Sequence, residues 1–286
     1  MVVLVTGANG QLGQSLQFIA NNYPEIEFVF CDSEKLDITD YDNVNAVFDE
    51  FNPNYCINTA AYTAVDKAEL EPDKAHSINI LGPQNLAKIC KINNAVLLHV
   101  STDFVFDGTK KNPYTELDKP NPTGVYGQTK LDGEYAIAEI WEKHFIIRTS
   151  WVYSQFGNNF MKTMLRLASE RDELSVVNDQ IGTPTNAIDL AQVLIKIIDS
   201  CHAELVSASN YGIYNFSNEG QCSWYDFAKK IFEINNITIN LQPIPTTSFP
   251  TPAIRPAYSV LDKSKIKSVF GVEVREWNES LKPIIK

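Results

Sequence analysis

Short apolar runs rich in β-branched residues recur through the first half of the chain, each followed by a stretch with helical spacing. The runs are Val2–Thr6, Ile26–Cys31, Tyr55–Thr59, Val96–Val100 and Phe145–Thr149. Their nearly unbroken apolar character predicts strands buried on both faces, as in a parallel sheet. Between them, Leu12, Leu16 and Ile19 mark one helix, and a second is capped by Asp40 and runs to Phe51. A third runs from Val65 to about Asn93 with a break near Pro72, and a fourth runs from Tyr126 through Leu131, Tyr135, Ile137 and Ile140. This alternation predicts an α/β fold, a doubly wound parallel sheet of Rossmann type over residues 1–150. After Ser150 the pattern becomes irregular: helices over 160–171, 186–200 and 223–235, and strands over 174–177 and 211–216. Residues 151–286 are therefore expected to form mostly a smaller α/β substrate-binding lid, with about 186–200 packing back on the first domain. Residues 201–210 match neither period and read as a surface insertion or a longer helix end.

Candidate chemistry sits at the strand ends. Gly7, Gly10 and Gly13 follow the first strand directly and open the first helix. Glycines there permit a tight turn and close backbone approach to a pyrophosphate, which the helix N-terminus then faces. An ordinary glycine-rich turn is the plainer alternative. Asp32 closes the second strand, where an acid accepts hydrogen bonds from the adenosine ribose and repels a 2′-phosphate, favouring NADH. A helix cap or surface acid would look the same. The expected dinucleotide contacts are Gly7, Gly10, Gln11, Leu12 and Gly13, with Asp32, Asp37 and Ile38 near the adenosine. Ala61, Tyr62 and Thr63 after the third strand and Val100 ending the fourth complete them. The small residues there also suit simple helix–sheet packing. Asn79, polar amid apolar helix positions, orders a water or carbonyl near the site or makes a buried hydrogen bond.

Ser101-Thr102-Asp103 places hydroxyls at the carboxyl end of the fourth strand, within reach of a substrate carbonyl. A long Pro-, Asn- and Asp-rich loop over 108–124 delivers the chain to Tyr126, with Lys130 one helical turn on. Residues at i and i+4 share a helix face about 6 Å apart. An ammonium there is expected to draw the phenol down from about 10 towards neutrality. Tyr-x-x-x-Lys alone occurs by chance in many proteins; the glycine turn and Thr102 give the pair its context. In the second half Trp151, Asn159 and Arg255 are expected to reach the substrate. Arg255 serves as a phosphate clamp, or else as a solvated loop residue.

Composition narrows the class. With 24 Lys and Arg against 35 Asp and Glu, the net charge of −11 argues against non-specific nucleic-acid binding. No apolar run approaches membrane-spanning length, and the N-terminus has neither a basic lead nor a cleavage-like site. The five cysteines, an odd number without a Cys-x-x-Cys, suit reduced thiols in the cytoplasm. The four histidines are scattered, and no metal site is expected.

The glycine turn, Ser101-Thr102-Asp103 and Tyr126-x-x-x-Lys130, in that order, resemble the extended short-chain dehydrogenase/reductase family. Within it the chain resembles the dTDP-4-dehydrorhamnose reductases. The stretches that carry this are 61–69, 101–106, 148–153, 158–160, 163–166, 178–180 and 250–256, nearly the whole chain. The resemblance implies reduction, by NADPH or NADH, of the C4 ketone of dTDP-4-dehydro-β-L-rhamnose to dTDP-β-L-rhamnose. Tyr126 would be the general acid, Lys130 would hold the nicotinamide ribose, and Thr102 would bind the substrate oxygen, with Asp103 and Trp151 in the sugar pocket. Hydride addition builds negative charge on that oxygen, which a hydroxyl and a phenol stabilise. Metal-binding dimeric members carry a glutamate shortly after the third glycine; Gln14-Ser15 stands here, so a Mg²⁺-bridged dimer is not expected, and monomer and homodimer stay open. A reductase or epimerase of another nucleotide sugar, and a non-catalytic regulatory subunit of the same fold, are the competing readings.

Overall fold

The computed structural model describes residues 1–203 and 210–282. The first half runs β1 (Val2–Thr6), α1 (Gln11–Ala20), β2 (Glu27–Cys31), α2 (Tyr41–Phe51), β3 (Tyr55–Asn58), α3 (Val65–Ala68), α4 (Pro72–His76), a π-helical turn (Ser77–Leu81), α5 (Gly82–Ile92), β4 (Val96–Thr102), α6 (Val125–Ile140) and β5 (His144–Thr149). The second half runs β6 (Val152–Tyr153), α7 (Phe160–Glu170), β7 (Glu173–Val177), β8 (Ile181–Gly182), β9 (Thr185–Asn186), α8 (Ala187–His202), β10 (Gly212–Asn215), β11 (Cys222–Ser223), α9 (Trp224–Ile234), β12 (Asn240–Ile244), α10 (Ser264–Phe270) and α11 (Trp277–Leu281).

The main sheet has six parallel strands in the order β10-β5-β4-β3-β1-β2. Its strands are buried on both faces, which explains their unbroken apolar runs. In β1, Val3 and Val5 enter one core with Leu16 of α1 and Leu190 and Leu194 of α8. Leu4 points the other way, into a core with Phe48 of α2 and Leu86 of α5. The chain leaves β1 to β2 on one side and returns to β3 on the other. Their carboxyl ends therefore flank a switch point, where a cleft opens in folds of this kind.

The second half divides. α8 packs on α1 through the first core. β10, the strand expected over 211–216, is not part of a separate lid. It extends the main sheet beside β5, pairing Gly212 with Phe145 through Asn215 with Arg148. A third core gathers Met161 and Met164 of α7, Leu174 of β7 and Phe227 and Ile231 of α9. Cys201 and His202 close α8, so the expected insertion begins as helix end; residues 204–209 of it lie outside the described residues. The helical region from Val65 breaks before Pro72 and carries the π-helical turn around Asn79, more interruptions than its pattern predicts.

Candidate active site

The glycine turn folds for steric reasons before any ligand is considered. Gly7 has φ +65°, and a Cβ there would stand 2.7 Å from the Ala60 amide nitrogen. A Cβ at Gly13 would come within 2.5 Å of the Gly7 carbonyl. Only glycine lets α1 start this close to β1 and the β3 loop. At Gly10, the residue before α1, no side chain caps the helix. The first-turn amides of α1 thus retain their donors, the arrangement that receives a phosphate. Gly10, Gln11 and Leu12 line a cavity of 690 Å³. Room for a dinucleotide, an uncapped helix start and a glycine turn fit the residues to NAD(H) or NADP(H).

The far side of the cavity is lined by Thr102, Asp103, Tyr126 and Lys130, with Val100 beneath. Tyr126 lies in the first turn of α6, held edge-on by Phe104 at 5.5 Å. Burial pushes its phenol up to about 12, and Asp103 adds to the rise; a hydrogen bond with Thr102 opposes it. The expected fall towards neutrality is therefore overturned, and the reason is geometric. Lys130 donates to the Val100 carbonyl at 2.7 Å and lies 3.1 Å from His99 Nε2, and the charge that acts on the phenol is Asp103. Burial draws the Lys130 ammonium down to about 8, with Glu134 opposing. Thr102 donates to Asp103 at 3.1 Å and accepts from the Phe104 amide at 3.2 Å. Burial lifts the Asp103 carboxyl to about 6, and its Oδ2 has no hydrogen-bond partner.

Across the cleft, Trp151 adopts φ +46° and stacks on Trp224 with ring centres 3.5 Å apart. Its indole fills the space that a Cβ at Gly182 would take. Asn159 caps α7 through Lys162 and donates to Gln11 Oε1 at 2.9 Å, so it ties the α7 loop to α1. Arg255 grips Asp66 with both terminal nitrogens, at 3.0 and 2.7 Å, rather than standing solvated. All three residues line the cavity, as do Ala61 and Thr63.

Other expected contacts lie off it. Gly7 and Gly13 shape the turn without lining the space. Asp32 accepts from Asn9 at 3.0 Å and from the Glu34 and Lys35 amides at 3.1 Å, which hold its carboxyl below the usual range. Asp37 accepts from the Thr39 amide and hydroxyl. Ile38 is buried in the core under Gly82. The Tyr62 ring packs on Ala68 and Ala75, and its hydroxyl donates to Glu71 at 2.8 Å. Asn79 makes the buried hydrogen bonds, accepting from the Tyr62 amide and donating to Thr129. Trp224, Thr149 and Leu190 line the cavity unforeseen. They come from elements distant in sequence and carry no local motif. Buried Ser15, just after the glycine turn, donates to the Gln11 carbonyl at 2.8 Å. Among the described residues no group of three His, Cys, Asp or Glu could hold a metal.

A parallel sheet with a glycine turn at its switch point, facing a Thr–Tyr–Lys cluster across one cavity, defines a dinucleotide-dependent reductase of the short-chain dehydrogenase type. A family model described as the RmlD substrate binding domain matches residues 1–286. A reductase of Aggregatibacter actinomycetemcomitans named dTDP-4-dehydrorhamnose reductase is 46% identical, covering 99% of this chain and 97% of its own. The crystal structure of a dTDP-4-dehydrorhamnose reductase from Clostridium acetobutylicum superposes with a TM-score of 0.94 at 46% identity, covering 100% of this chain and 98% of that one. That of Bacillus anthracis, solved in complex with NADP, gives 0.93 at 42% identity, covering 99% and 98%. The chain belongs to the RmlD substrate binding domain family, whose relatives here are named dTDP-4-dehydrorhamnose reductases.

Proposed function

We propose that this chain reduces the C4 ketone of dTDP-4-dehydro-β-L-rhamnose to dTDP-β-L-rhamnose in the cytoplasm, as a monomer or homodimer. The observation that carries the reading is one cavity shared by the uncapped start of α1 and the hydroxyls of Thr102 and Tyr126. Residues 1–150, with α8 and β10, would hold NADPH or NADH, and the third core with its loops would hold the sugar. The reduced nicotinamide supplies the hydride. Thr102 donates to the ketone oxygen. Tyr126 gives its proton to that oxygen as charge develops, and a phenol pushed up to about 12 keeps the proton until then. Lys130 positions the nicotinamide ribose. The ordered Asp32 carboxylate supports NADH, whereas the Bacillus anthracis relative is solved with NADP. Purified protein should oxidise NADH or NADPH only when dTDP-4-dehydrorhamnose is added. No oxidation with either cofactor, or equal turnover of UDP- and GDP-4-keto sugars, would overturn the assignment.

A further inference from the structure

Helix α6 carries Tyr126 in its first turn, and that turn has no cap of its own. The residue before it is Gly124, which offers no side chain, and no acid stands in the first turn. The Val125 amide is one of the donors that a helix start leaves without an intrahelical partner. It is nevertheless satisfied: it donates at 2.8 Å to Glu69 Oε1, 56 residues earlier in the chain. Among the described residues Glu69 enters no ion pair. It does not line the cavity, so any influence on the site must pass through α6.

The glycine at 124 needs an explanation, because its backbone does not demand one. Its φ of −149° is extended and open to any residue. Proximity supplies the reason. A Cβ there would stand 2.7 Å from Glu69 Oε1, and apart from chain neighbours it would meet only the Glu69 carboxyl. Gly124 thus keeps open the space that the carboxylate occupies. On the other side of Tyr126, a Cβ at Gly127 would collide with the Phe104 carbonyl. Phe104 belongs to the 3₁₀ turn Asp103–Val105, which Thr102 opens. Tyr126 therefore sits between two fixed neighbours: Val125, held by Glu69, and Gly127, seated against the turn that follows Thr102. Glu69 itself closes α3, whose buried Ala68 belongs to a cluster against which Val125 and Tyr126 pack.

We propose that Glu69 is a positioning residue that caps α6 from outside and so fixes the Tyr126 phenol beside Thr102. The role rests on the reductase reading for its effect on turnover, but not for the cap itself. A carboxylate at a helix start accepts from a free amide and complements the positive end of the helix dipole. Without it the first turn frays, and a phenol displaced by about 1 Å delivers its proton poorly. The cofactor and the sugar keep their other contacts, so binding should survive where proton delivery does not.

Steady-state kinetics of the full-length protein with dTDP-4-dehydrorhamnose test this. Glu69→Ala should lower kcat roughly tenfold, with both KM values within about twofold of wild type. Glu69→Gln keeps an oxygen for the Val125 amide and should recover most of the loss. Gly124→Ala puts a methyl where the carboxylate sits and should match Glu69→Ala, and the double variant should be no slower than either. Wild-type kcat in Glu69→Ala or Gly124→Ala overturns the proposal. So do a raised KM at constant kcat, a Gln variant as slow as the Ala variant, or losses that multiply in the double variant. Amide hydrogen exchange without substrate reads the cap directly. The Val125 amide should exchange at least about tenfold faster in Glu69→Ala, and an unchanged rate also overturns the proposal. If Glu69→Ala does not fold, Gly124→Ala decides by the same two measurements. If no 4-keto sugar is reduced, the reductase reading fails while hydrogen exchange still decides the cap.

Discussion

The two walls of the cleft hold their functional residues by different means. On the wall of β1, β3 and β4, groups stand at strand ends and at one helix start, placed by backbone hydrogen bonds within a rigid sheet. On the opposite wall, Trp151, Asn159 and Arg255 are placed by side chains that reach other elements: Trp224, Gln11 and Asp66. The first wall is a geometry that the ligand would find ready. The second is a set of joints in which the same side chains serve the protein and face the ligand. Loss of a group should therefore cost chemistry on the first wall and positioning on the second.

The largest effect should come from Tyr126→Phe, which removes the proposed acid and leaves the ring that packs on Phe104. Turnover should fall at least about a hundredfold with little change in melting temperature; near-normal turnover would remove Tyr126 from its role. Gly13→Ala comes next. A methyl within 2.5 Å of the Gly7 carbonyl must shift α1, costing about 1–3 kcal/mol and weakening the dinucleotide more than the sugar in calorimetric titrations. Asp103 gives a pH signature. Its carboxyl, raised from 3.8 to about 6 by burial, binds its proton more tightly in the folded chain than in the unfolded one. Stability should thus fall as pH rises from about 4 to 6, by up to about 3 kcal/mol. Asp103→Asn should flatten that limb of the denaturation curve, and an unchanged slope would place the titration elsewhere. Arg255→Ala should do least to the fold, at most about 1 kcal/mol, because the pair with Asp66 is partly exposed. Its mark should be a higher KM for the sugar at nearly constant kcat. A fall in kcat with KM unchanged would put Arg255 on the chemical side of the cleft.

Legibility in the sequence followed the same division. The strands, the glycine turn and the Thr102–Tyr126–Lys130 order were readable because short-range periodicity and motif spacing encode them. The rise of the Tyr126 phenol, in place of a fall caused by Lys130, was not. Sequence spacing places two side chains on one helix face, but it does not say that β4 offers Lys130 a nearer carbonyl at Val100. The Ile38 and Tyr62 side chains pack into cores and do not line the cavity. β10 pairs with β5 across 67 residues, Gly212 with Phe145, so no local pattern assigns it to the main sheet. Asn159 and Arg255 were legible as polar residues near the site; their joints, to residues 148 and 189 positions away, were not.

The Trp151–Trp224 stack has a consequence for observation. Two indoles 3.5 Å apart and within 10° of parallel share their electronic excitations, so the pair behaves as a single chromophore. Trp141 and Trp277 lie outside this pair. A ring or sugar that pries Trp151 from its partner would split that shared excitation, and circular dichroism in the near ultraviolet would record the event without any label. The protein thus carries, in the wall of its own cleft, an optical gauge of what enters it.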